Sequence, residues 1–387
     1  MRAALGFSTQ WPPRQAVSEA WEGIRRAWGE NDAGAPSAVF AVATAAWGAS
    51  ALVEMAEAVR TEGWGHPVGV GASVEGVRVG GQWLANQPAL ALLALEGVEA
   101  HSLSADEVPG RERSVALEWA AELPAQGSGP GDLMITVVDG LRVAGEPLLE
   151  GMAEHLPGLA TIGFGATEPP GGPALVWSEN EILESGCAGL FLRTSGSPRI
   201  EVVHEGQVLC DPIPITRSRG SWVYGLGGRP ALEVLAQHQS PESGHSEPLW
   251  VGLLEPDSPR GTAPESLVIR NVAGTDPATA SFCVPGPFRT GMNLVFFKPA
   301  APSSSRLETG STVTAAGAGS GPEVCTVCLT NWAGEDASSA AAPVDRERIG
   351  VAPWLGVSAA YQWARSSGQL GPPLLHTHSS VMASLKT

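Results

Sequence analysis

The sequence predicts a mixed fold, between α/β and α+β, in which two interlocking domains carry largely antiparallel sheets flanked by helices. Three observations favour it. The first half alternates β-type runs with helical patterns, and short β-type runs dominate after about residue 170. The 48 glycines and 32 prolines indicate many short elements joined by tight turns. A length of 387 residues is enough for two domains.

The clearest local pattern is a strand, a helix and a second strand in the first half. Residues 133–138 predict a buried strand closed by Asp139, residues 145–155 a helix, and residues 159–164 a strand that runs into Gly165. This order is typical of a parallel β-α-β unit. Further elements are predicted in the first half, namely a helix over 17–28, a strand over 37–45, a helix over 50–60 and strands over 66–71 and 90–95.

The second half changes character and predicts a second domain. Short β-type runs separated by turn residues favour antiparallel strands, and Pro230 suits the first turn of a helix over 231–238. The domain boundary is therefore placed near residue 229, giving domains 1–229 and 230–387. Residues 300–322 are rich in Ser, Ala and Gly and predict a flexible insert. No exact internal repeat is visible.

Charge and composition exclude several function classes. A net charge of −17 disfavours nucleic acid and anionic membrane surfaces as partners. Residues 33–53 lack charge, but they are mostly small and include Pro36 and Gly48, so no membrane insertion is expected. The N-terminus has no apolar leader pattern, and five scattered cysteines do not resemble a disulfide scaffold. We expect a cytoplasmic protein.

Two glycine-rich turns follow predicted strands and are candidate ligand-binding elements. One carries Gly71 and Ser73, and the other carries Gly165 and Thr167. Glycine lets a ligand approach the backbone, and ligands gather at the carboxyl ends of parallel strands. Ordinary turn chemistry is the alternative for each turn. Asp139 could point into the same cleft or accept hydrogen bonds from its own turn.

The second half supplies two further candidates, expected to face those turns across a cleft between the domains. Arg270 could pair with a ligand carboxylate, or form a structural salt bridge. His376, on a predicted strand that also holds His378, could line a polar pocket; no third ligand suggests a metal site. Cys325 and Cys328 are predicted on a strand, where two small buried residues are favoured over a redox pair.

No complete catalytic constellation is visible, because Ser73 and Cys328 cannot be paired with a base. We therefore expect no catalytic residue, no enzyme activity, no cofactor and no metal.

The order of these pieces resembles the FIST family, with a FIST N domain followed by a FIST C domain. Residues 68–76 are similar to a strand entering a "G-C-S-x-x-G" turn, and residues 132–166 resemble the strand, acid, helix and glycine turn that follow. Residues 267–272 resemble the "I/V-R-x-I" strand of the C domain, and residues 375–379 its closing "L-H-x-x-T" strand. The resemblance covers nearly the whole chain.

The resemblance implies a sensory, signal-transducing protein that binds small ligands, amino acids among them, and leaves its output to a protein partner. Three positions depart from the family pattern: Ala72 replaces a cysteine, Asn331 lies in the altered "C-x-G-R-G" segment, and Gln362 lies in the altered "G-E-I" segment. These departures keep an alternative open, a non-catalytic interaction or assembly subunit that has lost ligand binding.

Overall fold

A computed structural model describes most of the chain. The described residues are 1–29, 34–62, 64–79, 82–123, 129, 131–204, 206–238, 250–254, 268–272, 274–284, 290–299, 323–330, 354–358, 362–365, 374–376 and 379–386. Two compact units are present, a first unit of Met1–Glu201, Ser304–Leu375 and Val381–Thr387, and a second unit of Val202–Ser303 and His376–Ser380. The predicted family domains, 1–229 and 230–387, stay a prediction, and the predicted insert at 300–322 lies outside the described residues.

The described residues form helices and strands throughout. The helices are α1 (Pro13–Trp28), α2 (Ala49–Glu62), α3 (Glu112–Glu122), α4 (Gly145–His155) and α5 (Ala231–His238), with a 3-10 turn at Ala45–Trp47. The strands up to residue 204 are β1 (Arg2–Ser8), β2 (Ala38–Thr44), β3 (Val68–Val74), β4 (Gly76–Val79), β5 (Gln82–Ala85), β6 (Leu90–Glu96), β7 (Glu99–Ala105), β8 (Asp132–Asp139), β9 (Ala160–Ala166), β10 (Val176–Ser178), β11 (Ile182–Leu183), β12 (Cys187–Arg193) and β13 (Arg199–His204).

Short strands dominate the remainder of the described chain. They are β14 (Gly206–Val208), β15 (Ile213–Arg219), β16 (Trp222–Leu226), β17 (Arg229–Pro230), β18 (Trp250–Leu254), β19 (Val268–Asn271), β20 (Gly274–Asp276), β21 (Ser281–Cys283), β22 (Asn293–Pro299), β23 (Glu323–Thr330), β24 (Trp354–Ser358), β25 (Gln362–Arg365), β26 (Leu374–His376) and β27 (Ser379–Lys386). The mixed fold class with largely antiparallel sheets is thus confirmed.

Four sheets organise the described strands. The first has the order β1-β6-β2-β3-β10-β11 and the second β26-β25-β9-β8-β12-β7. The third has the order β13-β27-β23-β24-β4-β5, so the β4–β5 hairpin pairs with a strand from the end of the chain. The fourth, of nine strands, runs β19-β18-β22-β15-β16-β21-β20, with β14 beside β22 and β17 beside β16. Helix α5 packs on this fourth sheet through Val234 and Leu235.

The first and second sheets repeat one topology. In each, a strand and a helix lead to a strand, a second helix and a strand parallel to it, and a later strand enters between the first two. The first repeat is β1-α1-β2-α2-β3 with β6, and the second is β7-α3-β8-α4-β9 with β12. Each has a hairpin inserted before its last strand, β4–β5 in the first and β10–β11 in the second. Residues 2–96 and 99–193 are therefore a structural duplication.

Strand register matches the two repeats residue by residue. In the first, one row across the sheet runs Leu92, Ala41, Gly71 and Trp177. In the second, the equivalent row runs Gly189, Thr136, Gly163 and Trp363. A tryptophan position thus lies opposite a glycine at the same place in both sheets. Most other positions differ, which explains why the sequence displays no exact repeat.

Each repeat packs its helices on one face of its sheet. Helix α1 buries Trp21 and Ile24 on one apolar stripe and, with α2, covers the first sheet. Helices α3 and α4 cover the second sheet, where Trp119 is fully buried. Strands β2, β8 and β9 are buried along their whole length, so the opposite faces are covered as well. Phe40 of β2 meets Phe164 of β9 edge to face, with ring centroids 6.2 Å apart.

Several elements differ from the sequence prediction. Strand β1 and helix α3 were not predicted; α3 places alanines on several sides and shows little helical periodicity. The strand on which His376 was predicted, expected over residues 374–382, is two elements, because β26 (Leu374–His376) belongs to the second sheet and β27 (Ser379–Lys386) to the third. His378 lies outside the described residues. Cys325 and Cys328 lie on β23, a strand as predicted. Within the described residues, no helix combines the length and apolarity needed to cross a membrane.

Candidate functional site

Five predicted site residues lie in the first unit, within or just after β3, β8 and β9. Ser73 is fully buried near the end of β3. Its hydroxyl donates to the Thr167 carbonyl at 2.7 Å and accepts from the Leu175 backbone N–H at 2.8 Å. The Ser73 carbonyl accepts from the Thr167 N–H at 2.9 Å. These bonds tie the ends of β3 and β9 together and use the hydroxyl internally.

Thr167 and Gly165 complete this junction. Gly165 lies inside β9, opposite Val138 of the parallel strand β8. Thr167 follows the last residue of β9, and its Oγ1 is buried with no hydrogen-bond partner among the described residues. The structure therefore brings Ser73 and Thr167 together, as the sequence predicted. Their role in ligand binding stays a prediction.

Asp139 organises the turn after β8. Its Oδ1 accepts from the backbone N–H groups of Leu141 and Arg142, each at 3.0 Å. Its Oδ2 pairs with Arg142 Nη1 at 3.1 Å, and the other side of that guanidinium lies 3.6 Å from Glu168. The carboxylate is fully buried. The turn-capping alternative therefore describes the contacts of Asp139.

Glycines in β3 make room for side chains. A Cβ on Gly71 would overlap the indole ring of Trp177, and a Cβ on Gly69 would lie 2.6 Å from Val39 Cγ1. Both glycines are on the helix-covered face, where Val39 and Trp177 belong to the core. Close packing therefore accounts for Gly71 without a ligand.

Two predicted residues lie in the second unit. Arg270 is on β19, about 5% exposed, and its Nη1 donates to the Ile269 carbonyl at 3.2 Å. His376 is the last residue of β26. Their predicted position opposite the strand ends of the first unit stays a prediction.

Two potential nucleophiles of the first unit lack activating surroundings. The Ser73 hydroxyl gives its proton to a carbonyl oxygen rather than to a base. Burial raises the pKa of the Cys187 thiol, which keeps it protonated and unreactive. The absence of enzyme activity nevertheless remains a prediction.

A pocket opens at the other end of the first sheet. It encloses about 230 Å³ and lies at the amino ends of β2 and β3, beside the last turns of α2. Val39, Val59 and Trp177 form its apolar wall, and Gly69 forms its floor. Residues at the turn between β10 and β11, Ser178, Glu179 and Asn180, also line it. None of the pocket's polar residues was predicted as a site residue.

The polar lining combines donors with one carboxylate. Arg60 donates through Nε to the Glu179 carbonyl at 3.0 Å and through Nη2 to the Asn180 carbonyl. Among the described residues it has no carboxylate partner. Ser178 Oγ accepts from the N–H groups of Asn180 and Glu181 at 3.3 Å each, and no acceptor for its own proton is seen among the described residues. His66 and the exposed Glu179 complete the lining.

The pocket was missed because its parts are remote in sequence. Arg60 and Glu179 are 119 positions apart. They meet only because β10 pairs with β3, placing Ser178 opposite Val70. No motif around residues 178–180 marks this pairing, so nothing in the local sequence could have identified the pocket.

Comparison with known proteins finds a similarity to one family model that spans both features. The FIST N domain matches residues 38–229, which contain both the strand-end junction and the whole pocket. FIST domains are in general sensory, ligand-binding signalling domains. The match begins at β2, so β1 and α1 of the first repeat lie outside it.

Two mycobacterial relatives match over most of their length. The uncharacterized protein Rv0628c of Mycobacterium tuberculosis is 24% identical over 306 residues, covering 76% of each chain. The uncharacterized protein Mb0898c of Mycobacterium bovis is 25% identical over 314 residues, covering 76% of this chain and 75% of the relative.

Proposed function

We propose that this chain is a cytoplasmic sensory protein that binds a small zwitterionic molecule, an amino acid with a short apolar side chain, in the pocket beside β3. The observation that carries the proposal is that one 230 Å³ pocket is lined both by Arg60, whose guanidinium has no carboxylate partner among the described residues, and by the exposed Glu179. A FIST N domain around that pocket supports a sensory role.

The chemistry of the lining defines the ligand class. The carboxylate of an amino acid would accept hydrogen bonds from Nη1 of Arg60 and from the Ser178 hydroxyl, because the planar guanidinium suits carboxylates. Its ammonium group would form an ion pair with the Glu179 carboxylate. Val39, Val59 and Trp177 would cover an apolar side chain. A few placed polar groups in an apolar wall are typical of small-molecule sites.

Thermal unfolding in the presence of single amino acids tests the proposal. L-Valine, L-leucine and L-alanine should raise the melting temperature in a concentration-dependent way, since a ligand that binds only the folded state stabilises it. At a hundredfold excess over Kd the stabilisation is about 2.7 kcal/mol, or several degrees. A panel in which no amino acid raises the melting temperature would sink the proposal.

Two pocket variants and one matched control locate the site. Arg60→Gln and Ser178→Ala should each weaken the response by about tenfold or more in concentration, because each removes a donor to the carboxylate. Arg113→Gln is the control: Arg113 lies on α3, 61% exposed, and pairs with Glu154 at 3.0 Å. It should respond as the wild type does. Equal responses of all three variants would place binding elsewhere.

A further inference from the structure

The β10–β11 hairpin connects the pocket to the far edge of the second sheet. Its strand β10 is hydrogen-bonded to β3 of the first sheet, where Trp177 packs over Gly71. Its turn is held by Arg60 of α2. Glu181, the residue before β11, accepts a 2.7 Å hydrogen bond from the Ser104 hydroxyl of β7.

The two residues that hold the hairpin, Arg60 and Ser104, come from different repeats; their hydrogen bonds to it are called its tethers below. Arg60 lies at the end of α2 in the first repeat, and Ser104 lies on β7, the edge strand of the second sheet. The hairpin itself is part of the second repeat's sequence, inserted between β9 and β12. A change in its position therefore acts on both sheets.

Between the contacts with Arg60 and Ser104, the turn is held by its own hydrogen bonds. The Ser178 hydroxyl accepts two backbone N–H groups of the turn, and the Ser178 N–H donates to the Glu181 carbonyl at 2.9 Å. Ser178 is about 1% exposed, whereas Glu179 and Asn180 are exposed. Glu179 and Glu181 thus belong to one short loop that is hydrogen-bonded internally.

We propose that this hairpin transmits the state of the pocket: a bound zwitterion links Arg60 to Glu179, tightens the turn, and strengthens the Glu181–Ser104 bond at β7. The inference rests on the proposed function of the pocket. It requires no displacement of existing bonds, because Nε and Nη2 of Arg60 already face the carbonyls and the Nη1 edge receives the ligand. Ligand binding would then order the hairpin and one edge of the second sheet together.

Amide hydrogen exchange of the full chain tests the inference. Peptides over 176–183 and 99–105 are followed in the wild type, Arg60→Gln and Ser104→Ala, each with and without saturating L-valine, with the α4 peptide 145–155 as internal control. L-Valine should slow exchange in both segments of the wild type by roughly tenfold and leave α4 unchanged. Ser104→Ala should keep the slowing at 176–183 and lose it at 99–105.

The variants separate this inference from the proposed function. Without ligand, Arg60→Gln should speed exchange at 176–183, since the turn loses its tether to α2. If L-valine raises the melting temperature but leaves the exchange of 176–183 unchanged or faster, the pocket binds and the transmission is overturned. If no amino acid binds, the proposed function fails and the ligand step with it. If the amide exchange of 176–183 is unchanged in ligand-free Arg60→Gln, the claim that Arg60 holds the turn is overturned.

Discussion

The two repeats of the first unit have the same topology but carry different side chains at equivalent positions. Gly69 of the first repeat corresponds in register to Thr161 of the second, since each lies opposite the second residue of its parallel segment. Gly69 lines the pocket and is packed closely against Val39, whereas Thr161 is fully buried and donates to the Leu159 carbonyl at 3.2 Å. The duplicated frame therefore carries different residues at this register position, and the described pocket lies beside the one with glycine.

At the opposite end of each sheet, polar residues at the strand ends bond to the backbone in both repeats. Thr44 and Asp139 occupy equivalent places, and each satisfies backbone groups of its own end of the sheet: Thr44 accepts from the Ala89 N–H at 2.9 Å, and Asp139 caps its turn. Ser73 corresponds to Gly165, and only Ser73 provides a hydroxyl. Strand-end polar residues thus stabilise the frame, while the pocket at the opposite end differs between the repeats.

Replacing the indole that packs over Gly71 in the first sheet should have the largest effect. Trp177→Ala should lower the free energy of unfolding by about 3–5 kcal/mol, because it leaves a cavity over Gly71 and beside the pocket. Trp11→Ala is the control, since Trp11 is 64% exposed although it stacks on Trp47. Urea unfolding measures both. Similar losses for the two variants would contradict the packing assigned to Trp177.

Adding one methyl group to β3 should have a smaller but clear effect. Gly71→Ala should cost about 1–3 kcal/mol, because its Cβ would overlap the Trp177 ring. Gly23→Ala on α1 has only an ordinary contact at 3.5 Å and should gain about 0.5–1 kcal/mol from helix propensity. The two alanine variants should therefore shift the urea midpoint in opposite directions; a shift in the same direction would refute the close approach at Gly71.

Two buried hydroxyls should respond differently to removal. Ser73→Ala should cost about 1–3 kcal/mol, because it leaves the Thr167 carbonyl and the Leu175 N–H without their partner. Thr136 is fully buried in the second repeat, and its Oγ1 has no partner among the described residues. Thr136→Val should therefore be nearly neutral or stabilising. Melting temperatures compare the pair, and a larger loss for Thr136→Val would reverse the assignment.

Much of the frame could be predicted from the sequence, because its patterns are local. Helices α4 and α5 begin and end at the predicted residues, and Cys325 and Cys328 lie on a strand as predicted. Ser73 and Thr167 were expected near the ends of two strands and lie there, but the predicted glycine turns are wrong as turns, because Gly71 and Gly165 lie inside β3 and β9. Non-local pairing could not be predicted: β24 joins β4 and β25 joins β9 across long stretches of chain. The pocket depends on such a pairing, between β10 and β3.

A crystal structure of the protein grown with L-valine, or with whichever amino acid raises the melting temperature most, tests the central claim directly. Ligand density is expected in the pocket beside Gly69, with the ligand carboxylate hydrogen-bonded to Arg60 and Ser178 and its ammonium group paired with Glu179. Ligand density at the Ser73–Thr167 junction, or an empty pocket in crystals whose protein binds the ligand in solution, would contradict it.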